Sequence, residues 1–226
     1  MLRGHSGTLA QASGRRFDRA DYAVRVADTT TALKIVPANQ ASWGDLQAIF
    51  GRRGDPSRCW CQRFKMAPGE SWANVGAAQH AFRLRTQTRC GNPESETTSG
   101  LAAYLDGEPV GWCAVEPRTA YPRMLRNNRV PWEGRNEDKA DSSVWAVTCF
   151  VTRTGFRRQG IAYSLARAAV DFARQHGARA VEGYPMITKN ALLGELHVGT
   201  RGMFAAAGFT EVSQPSVRRV VMRIEF

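Results

Sequence analysis

No run of apolar residues in this chain approaches the eighteen or so that a membrane-crossing helix needs. The opening stretch also lacks the hydrophobic core of roughly 7–15 residues that marks a secretory signal peptide. Cysteine is sparse, with five residues at Cys59, Cys61, Cys90, Cys113 and Cys149. An odd count without a secretory leader argues against a disulfide framework, so reduced thiols in a cytoplasm are expected. Cys59-x-Cys61 has His80 and Cys90 downstream, a spacing that forms no standard zinc pattern, and no metal is expected. Acidic residues are outnumbered, 20 Asp+Glu against 31 Lys+Arg, for a formal net charge of +11. The arginines are scattered rather than blocked and no RNA-binding signature is present. Nucleic acid is therefore the weaker reading of that charge, behind an acidic ligand or a solvated basic surface.

What is present fits a globular protein: 43% hydrophobic and 23% charged residues over 226 positions. Residues 1–32 are rich in Gly, Ser, Thr, Arg and Asp without an apolar period, and read as a disordered tail. Residues 33–226 carry the domain. Leu33–Val36 reads as a first strand. Ser42 with Asp45 gives a capping-box start to a helix running to Phe50. A turn-rich segment spans Asp55–Cys61. A second helix is expected over Asn74–Thr88, with Val75, Ala78 and Phe82 on one face. Asn92–Gly100 reads as a loop. Leu101–Leu105 and Val110–Glu116 flank Asp106-Gly107-Glu108-Pro109 as a hairpin, with Pro109 placed in the turn.

Pro117–Asp141 is long, basic and irregular, and loops of that length inside a domain usually have a use. It reads as a substrate-side loop whose basic, aromatic character favours an acceptor with an acid group. Ser143–Thr152 is apolar on both faces, which suits the middle of a sheet. A helix over Ile161–His176 follows, stopped by Gly177. Ala178–Tyr184 is a further strand and Gly199–Ala207 a short helix. Phe209–Val212 and Val217–Phe226 are the closing strands, with Val220, Met222, Ile224 and Phe226 pointing one way. The order is α/β with a mixed sheet.

The chemistry concentrates between Cys149 and Ala162, where a buried strand runs through a glycine-containing turn into a helix start. A helix N-terminus offers unpaired N–H groups and partial positive charge, which together receive a pyrophosphate. Gly160 keeps the backbone bare at that point, Ala162 keeps the first turn slim, and Arg157 and Arg158 add positive charge.

Arg157-x-x-Gly160-x-Ala162 after a buried strand resembles the [Q/R]-x-x-G-x-[G/A] acetyl-CoA signature of the GNAT superfamily of N-acetyltransferases. Phe204-Ala-Ala-Ala-Gly208-Phe209 is similar to that family's Y-x-x-x-G-F, and the Asp106–Gly111 hairpin resembles the one before its core strand. Cys59-Trp60-Cys61 and Glu182-Gly183-Tyr184-Pro185 resemble a bacterial branch of the superfamily. The likeness covers roughly Leu33 to Phe226. It implies a mostly antiparallel central sheet flanked by helices, with two central parallel strands splayed apart. It implies acetyl-CoA as cosubstrate, held by Cys149, Phe150, Val151, Arg157, Arg158, Gln159, Gly160, Ile161 and Ala162. The acyl group would pass directly to an amine of a small molecule or peptide in a ternary complex, with a homodimer as a further candidate partner.

The chain departs from the family at the tyrosine that often serves as general acid, which falls on Phe204. Tyr184 and His197 are the nearest replacements by element position, and Glu116 and Glu182 are the candidate bases. Bland readings stand beside these: Cys149 as core, His197 as a surface residue, Glu182 as a polar strand residue, Trp60, Trp112 and Trp132 as packing. The rival from another class is a non-catalytic acyl-CoA-binding or regulatory module.

Overall fold

Seven strands form one sheet in the order β1-β2-β3-β4-β5-β7-β6, antiparallel throughout except between β4 and β5. The strands are β1 (Leu33–Pro37), β2 (Leu101–Leu105), β3 (Glu108–Pro117), β4 (Val144–Thr152), β5 (Ala180–Gly183), β6 (Thr210–Ser216) and β7 (Arg219–Glu225). The helices are α1 (Trp43–Phe50), α2 (Asp55–Cys59), α3 (Ala77–Thr88), α4 (Pro122–Asn127), α5 (Ile161–Gln175) and α6 (Arg201–Ala206). This computed structural model describes residues 32–72, 74–187 and 191–226; the expected disordered tail, apart from Ala32, lies outside them. Among the described residues no helix is long and apolar enough to cross a membrane.

The expected mixed sheet with one central parallel pair is present, and its two faces carry different layers. On one face α5 buries Leu165, Ala169 and Phe172 against Val147, Phe150, Val181 and Met222, with Met203 and Phe204 of α6 in the same cluster. Gly111 on β3 belongs to this contact, since a Cβ there would come within 2.8 Å of Ile161 and 3.0 Å of Leu165. On the other face Leu46, Ile49 and Phe50 of α1 and Leu84 of α3 pack with Trp60, Trp112, Cys149 and Val151. Tyr121, Met124, Ala146, Tyr184 and Val221 form a further cluster. The Ser42 capping box forms as expected: Ser42 Oγ accepts from Asp45 N at 3.1 Å, and Asp45 Oδ2 accepts from Ser42 N at 3.0 Å.

Several expectations are corrected. The Asp55–Cys61 segment holds the short helix α2, and the Pro117–Asp141 stretch is partly helical through Arg118–Ala120 and α4. In α3 the buried residues are His80, Leu84 and Thr88, while Phe82 is 64% exposed and Ala78 faces solvent. Tertiary partners override the apolar spacing there, because His80 Nδ1 lies 2.9 Å from the Arg58 carbonyl and draws that side of α3 inward. Pro109 lies in β3 opposite Tyr104, beside a register shift at Ala103/Tyr104, rather than in the turn.

The strict alternation expected along β4 also breaks. Ala114 pairs with Cys149 while Val115 pairs with Val147, so Thr148 is an extra residue on β4. Such a bulge bends its strand and flips the following side chains. Trp145, Val147 and Phe150 therefore share the α5 face, and Cys149 and Val151 the opposite one.

Candidate active site

The bulge sits where β4 and β5 part. Their parallel pairing runs from Val144↔Ala180 to Val147↔Gly183 and ends there. Beyond Gly183 the chain turns toward other neighbours: Met186 bridges to Thr200 and Arg219, and Ile187 N donates to the Arg218 carbonyl. From Thr148 to Thr152 the β5-side edge of β4 thus has no strand partner among the described residues. The side chains of Cys149, Phe150 and Val151 are buried in the two cores, so only their main chain faces this gap.

The gap leads into the turn before α5. Gly160 has φ 78°, the left-handed region in which a glycine carries no Cβ penalty, and a Cβ there would meet nothing within 4 Å. The need for glycine is therefore conformational. Arg158 also sits at φ 64°, strain that a non-glycine residue keeps only where its surroundings hold it. Among the described residues, no main-chain N–H from Arg157 to Tyr163 donates to a protein acceptor, and the first amide bonded back is Ser164 N to the Gly160 carbonyl. Arg157, Arg158 and Gln159 are exposed, Ile161 is buried and Ala162 half-buried. The turn is a cradle of free amides flanked by two guanidiniums that make no ion pair among the described residues.

Glu182 and Tyr184 meet on the face away from α5. The Tyr184 hydroxyl donates to Glu182 Oε2 at 2.8 Å. Glu182 is fully buried, and three guanidiniums reach it: Arg135 and Arg223 at 2.6 Å and Arg118 at 3.4 Å. Glu137 bridges the same arginines at 3.0 Å (Arg118), 2.9 Å (Arg135) and 3.3 Å (Arg223). Burial pushes the Glu182 carboxyl up, but Arg135, Arg118 and the Tyr184 hydroxyl outweigh it and hold it below the usual range. Burial, reinforced by the Glu182 charge, pushes the Tyr184 phenol well above its ordinary value. This network ties the 117–141 stretch to β5 and β7. Trp132 belongs to it, with Arg118 lying 5.0 Å over its ring.

His197 lies elsewhere, on the short 3-10 helix Leu193–Val198, and does not touch this pair. Its Nδ1 is 2.8 Å from the Gly194 carbonyl, and its buried Nε2 has no partner among the described residues. Burial, with help from Arg63 and Arg219, lowers its pKa to about 4, so the ring is neutral at pH 7. It lines a cavity of about 400 Å³ together with Arg63, Phe64, Trp72, Arg123 and Arg219. Phe64 packs on the Tyr121–Ala146–Tyr184 cluster, and Arg123 N donates to the Phe64 carbonyl at 3.0 Å. Met186 at the exit of β5 is also in the wall. The cavity therefore adjoins the splay on the face opposite α5.

Between cavity and bulge lie two hydroxyls that the motifs did not indicate. Tyr121 and Thr148 are buried neighbours, yet neither hydroxyl completes a hydrogen bond of ordinary geometry. Buried polar atoms without partners are costly, which makes such a pair informative. Glu116 is engaged with Lys65 and Ser99. Phe204 is fully buried against Phe150 at 5.9 Å and Phe209 at 4.9 Å. Of the Cys59–Cys61 segment, Cys61 Sγ accepts from Trp112 Nε1 at 3.3 Å inside the core, and Trp60 stacks on Phe50 at 5.0 Å. Arg63, Arg123 and Arg219 escaped the sequence reading because they converge from three distant segments and share no local pattern.

Known proteins bear on this arrangement. No curated protein sequence matches the chain. Among solved structures it is similar to an N-acetyltransferase from Staphylococcus aureus Mu50, at 11% identity, 86% of this chain, 99% of that one and TM-score 0.49. It is also similar to the PaiA N-acetyltransferase from Thermoplasma acidophilum in complex with coenzyme A, at 11% identity, 87% of this chain, 100% of that one and TM-score 0.47. A ribosomal-protein-alanine N-acetyltransferase from Brucella melitensis is similar at 14% identity, 86% of this chain, 99% of that one and TM-score 0.48. The family model described as "Acetyltransferase (GNAT) family" matches residues 65–186, more than half the chain, a span that contains the bulged strand, the free-amide turn and α5. The chain belongs to the acetyltransferase (GNAT) family and is an acetyl-CoA-dependent N-acetyltransferase.

Proposed function

We propose that this enzyme passes the acetyl group directly from acetyl-CoA to an amine of a small molecule or peptide while both are bound. The observation that carries the reading is the unpaired edge of β4 running from the Thr148 bulge to the free amides of residues 157–163. A pantetheine arm fits that edge as a strand would, using main-chain groups of Cys149 and Val151, and its pyrophosphate fits the turn beside Arg157 and Arg158. The thioester then lies at the bulge, where a main-chain N–H polarises its carbonyl. One such donor is worth about 3–4 kcal/mol where it has been removed in other enzymes.

The neutral amine attacks the carbonyl carbon. A C–N bond forms, the C–S bond breaks, the nitrogen loses one proton and the thiolate gains one. Glu182 is a poor base for this, since its carboxylate is held ionised by three guanidiniums and a phenol. Tyr184 spends its hydrogen on that carboxylate. The Tyr121 and Thr148 hydroxyls are the unengaged groups at the bulge, and we assign them the positioning of the amine or of a proton-carrying water. Phe204 cannot donate a proton, so the thiolate leaves without help from that position.

The test is acetyl-CoA titration by calorimetry followed by free-thiol release across an amine panel, comparing wild type with Gly160→Glu. Micromolar binding that Gly160→Glu removes from a folded protein, with amine-dependent thiol release in wild type, supports the reading. Binding without thiol release for any amine in the panel overturns direct transfer to such an amine.

A further inference from the structure

We infer that the cavity beside the splay is an anion-recognising acceptor subsite, and that the acceptor is a free amine carrying a carboxylate and an apolar or aromatic body. Arg63, Arg123 and Arg219 all line one cavity, and none of them forms an ion pair with a carboxylate among the described residues. Their contacts are weak or partial. Arg63 lies 5.8 Å over the Trp72 ring, Arg123 Nη1 is 3.1 Å from Met66 Sδ, and Arg219 donates from Nη2 to the Tyr184 carbonyl at 2.7 Å. Arg219 Nε is buried with no partner among the described residues.

The single acid in the wall, Glu195, is already engaged by Arg218 at 2.9 Å. Half-buried guanidiniums normally find carboxylates, and this chain supplies its Glu182 arginines with two of them. Three that meet no carboxylate among the described residues, around one space, call for an anionic ligand. A cluster of like charges costs the fold repulsion and desolvation that such an anion relieves.

The remaining walls narrow the class. Phe64 and Trp72 give apolar surface, His197 adds a neutral ring to the wall, and about 400 Å³ suits a molecule of amino-acid size. With its carboxylate on the arginines, the ligand has the Tyr121 and Thr148 hydroxyls and the bulge next to it through Phe64. Amine delivery to the thioester rests on the acyl-transfer reading above, whereas carboxylate binding does not.

The experiment titrates the full chain, with and without CoA, with aromatic and aliphatic free amino acids, the matching amino-acid amides and the decarboxylated amines. At least one acid is expected to bind about tenfold or more tightly than its amide, the scale of a lost charge-assisted contact. Arg63→Gln and Arg123→Gln are each expected to shrink that ratio toward 1 with acetyl-CoA affinity retained. Equal binding of acids and amides, no binding of any acid, or a ratio unmoved in both variants overturns the inference. Absent acetyl-CoA binding in the folded wild type would instead sink the acyl-transfer reading, so the two failures are distinguishable.

Discussion

Gly183 lies directly over the ring of Phe204: a Cβ on Gly183 would come within 2.4 Å of Phe204 Cε1 and Cζ. Gly183 is also the last residue of β5 paired with β4, opposite Val147. The Phe204 ring thus supports the point where the two strands part. Gly183→Ala is expected to cost about 1–3 kcal/mol through overpacking. Adding Phe204→Leu should recover part of that loss, measured as urea midpoints of the two variants. Additive losses would show that the ring is not the obstacle.

Arg158 separates stability from binding. Its left-handed φ of 64° suits glycine, so Arg158→Gly should stabilise the fold by up to about 1 kcal/mol. The same change removes a charge from the turn before α5 and, if that turn receives the pyrophosphate, should weaken acetyl-CoA binding several-fold at low salt, less at high salt. Thermal unfolding and calorimetry on one preparation read both signs.

Tyr121→Phe and Thr148→Val remove buried hydroxyls that lack good partners, so stability should hold or rise slightly. If those hydroxyls position the amine, kcat should fall on the order of 10²-fold, with the KM for acetyl-CoA little changed. A normal kcat in both variants would assign them to packing alone.

Below the ordinary carboxyl range, acid should attack the Glu182 network. Its folded pKa lies below the ordinary value, so its stabilisation is complete above the unfolded carboxyl pKa and is lost as pH falls through the lower folded one. Denaturation midpoints should therefore drop as pH falls from about 4.5 downward. Glu182→Gln should destabilise by about 3–5 kcal/mol at neutral pH, because three guanidiniums lose a charge.

His197 titrates in an adjoining window. With a folded pKa of about 4 against an ordinary 6.5, it binds fewer protons folded than unfolded between those values, and stability falls as pH drops through them. Arg63, Arg219 and Asp55 are the charges felt by this ring, and its own burial is the largest cause. Ring proton shifts followed by NMR should stay those of a neutral imidazole at pH 6; a midpoint near 6.5 would mean the ring is solvated.

The local features were legible in the sequence because their causes are local. The Ser42–Asp45 box, the Asp106-Gly107 hairpin, the two-faced β4 and the positive-φ glycine before α5 each follow from neighbouring residues. Tertiary structure alone decided the rest. The Thr148 bulge depends on how β3 and β4 register, and its consequence, the side-chain flip after Val147, cannot be read from alternation. Glu182 looked like a polar residue at a strand end beside a cleft; only the return of Arg118, Arg135 and Arg223 from distant segments makes it an anchor. The three arginines of the cavity come from positions 63, 123 and 219, and charge convergence across such separations leaves no spacing to read. Caps and tight turns are set by near neighbours, whereas strand register and electrostatic environment are set by whatever the fold brings within a few ångströms.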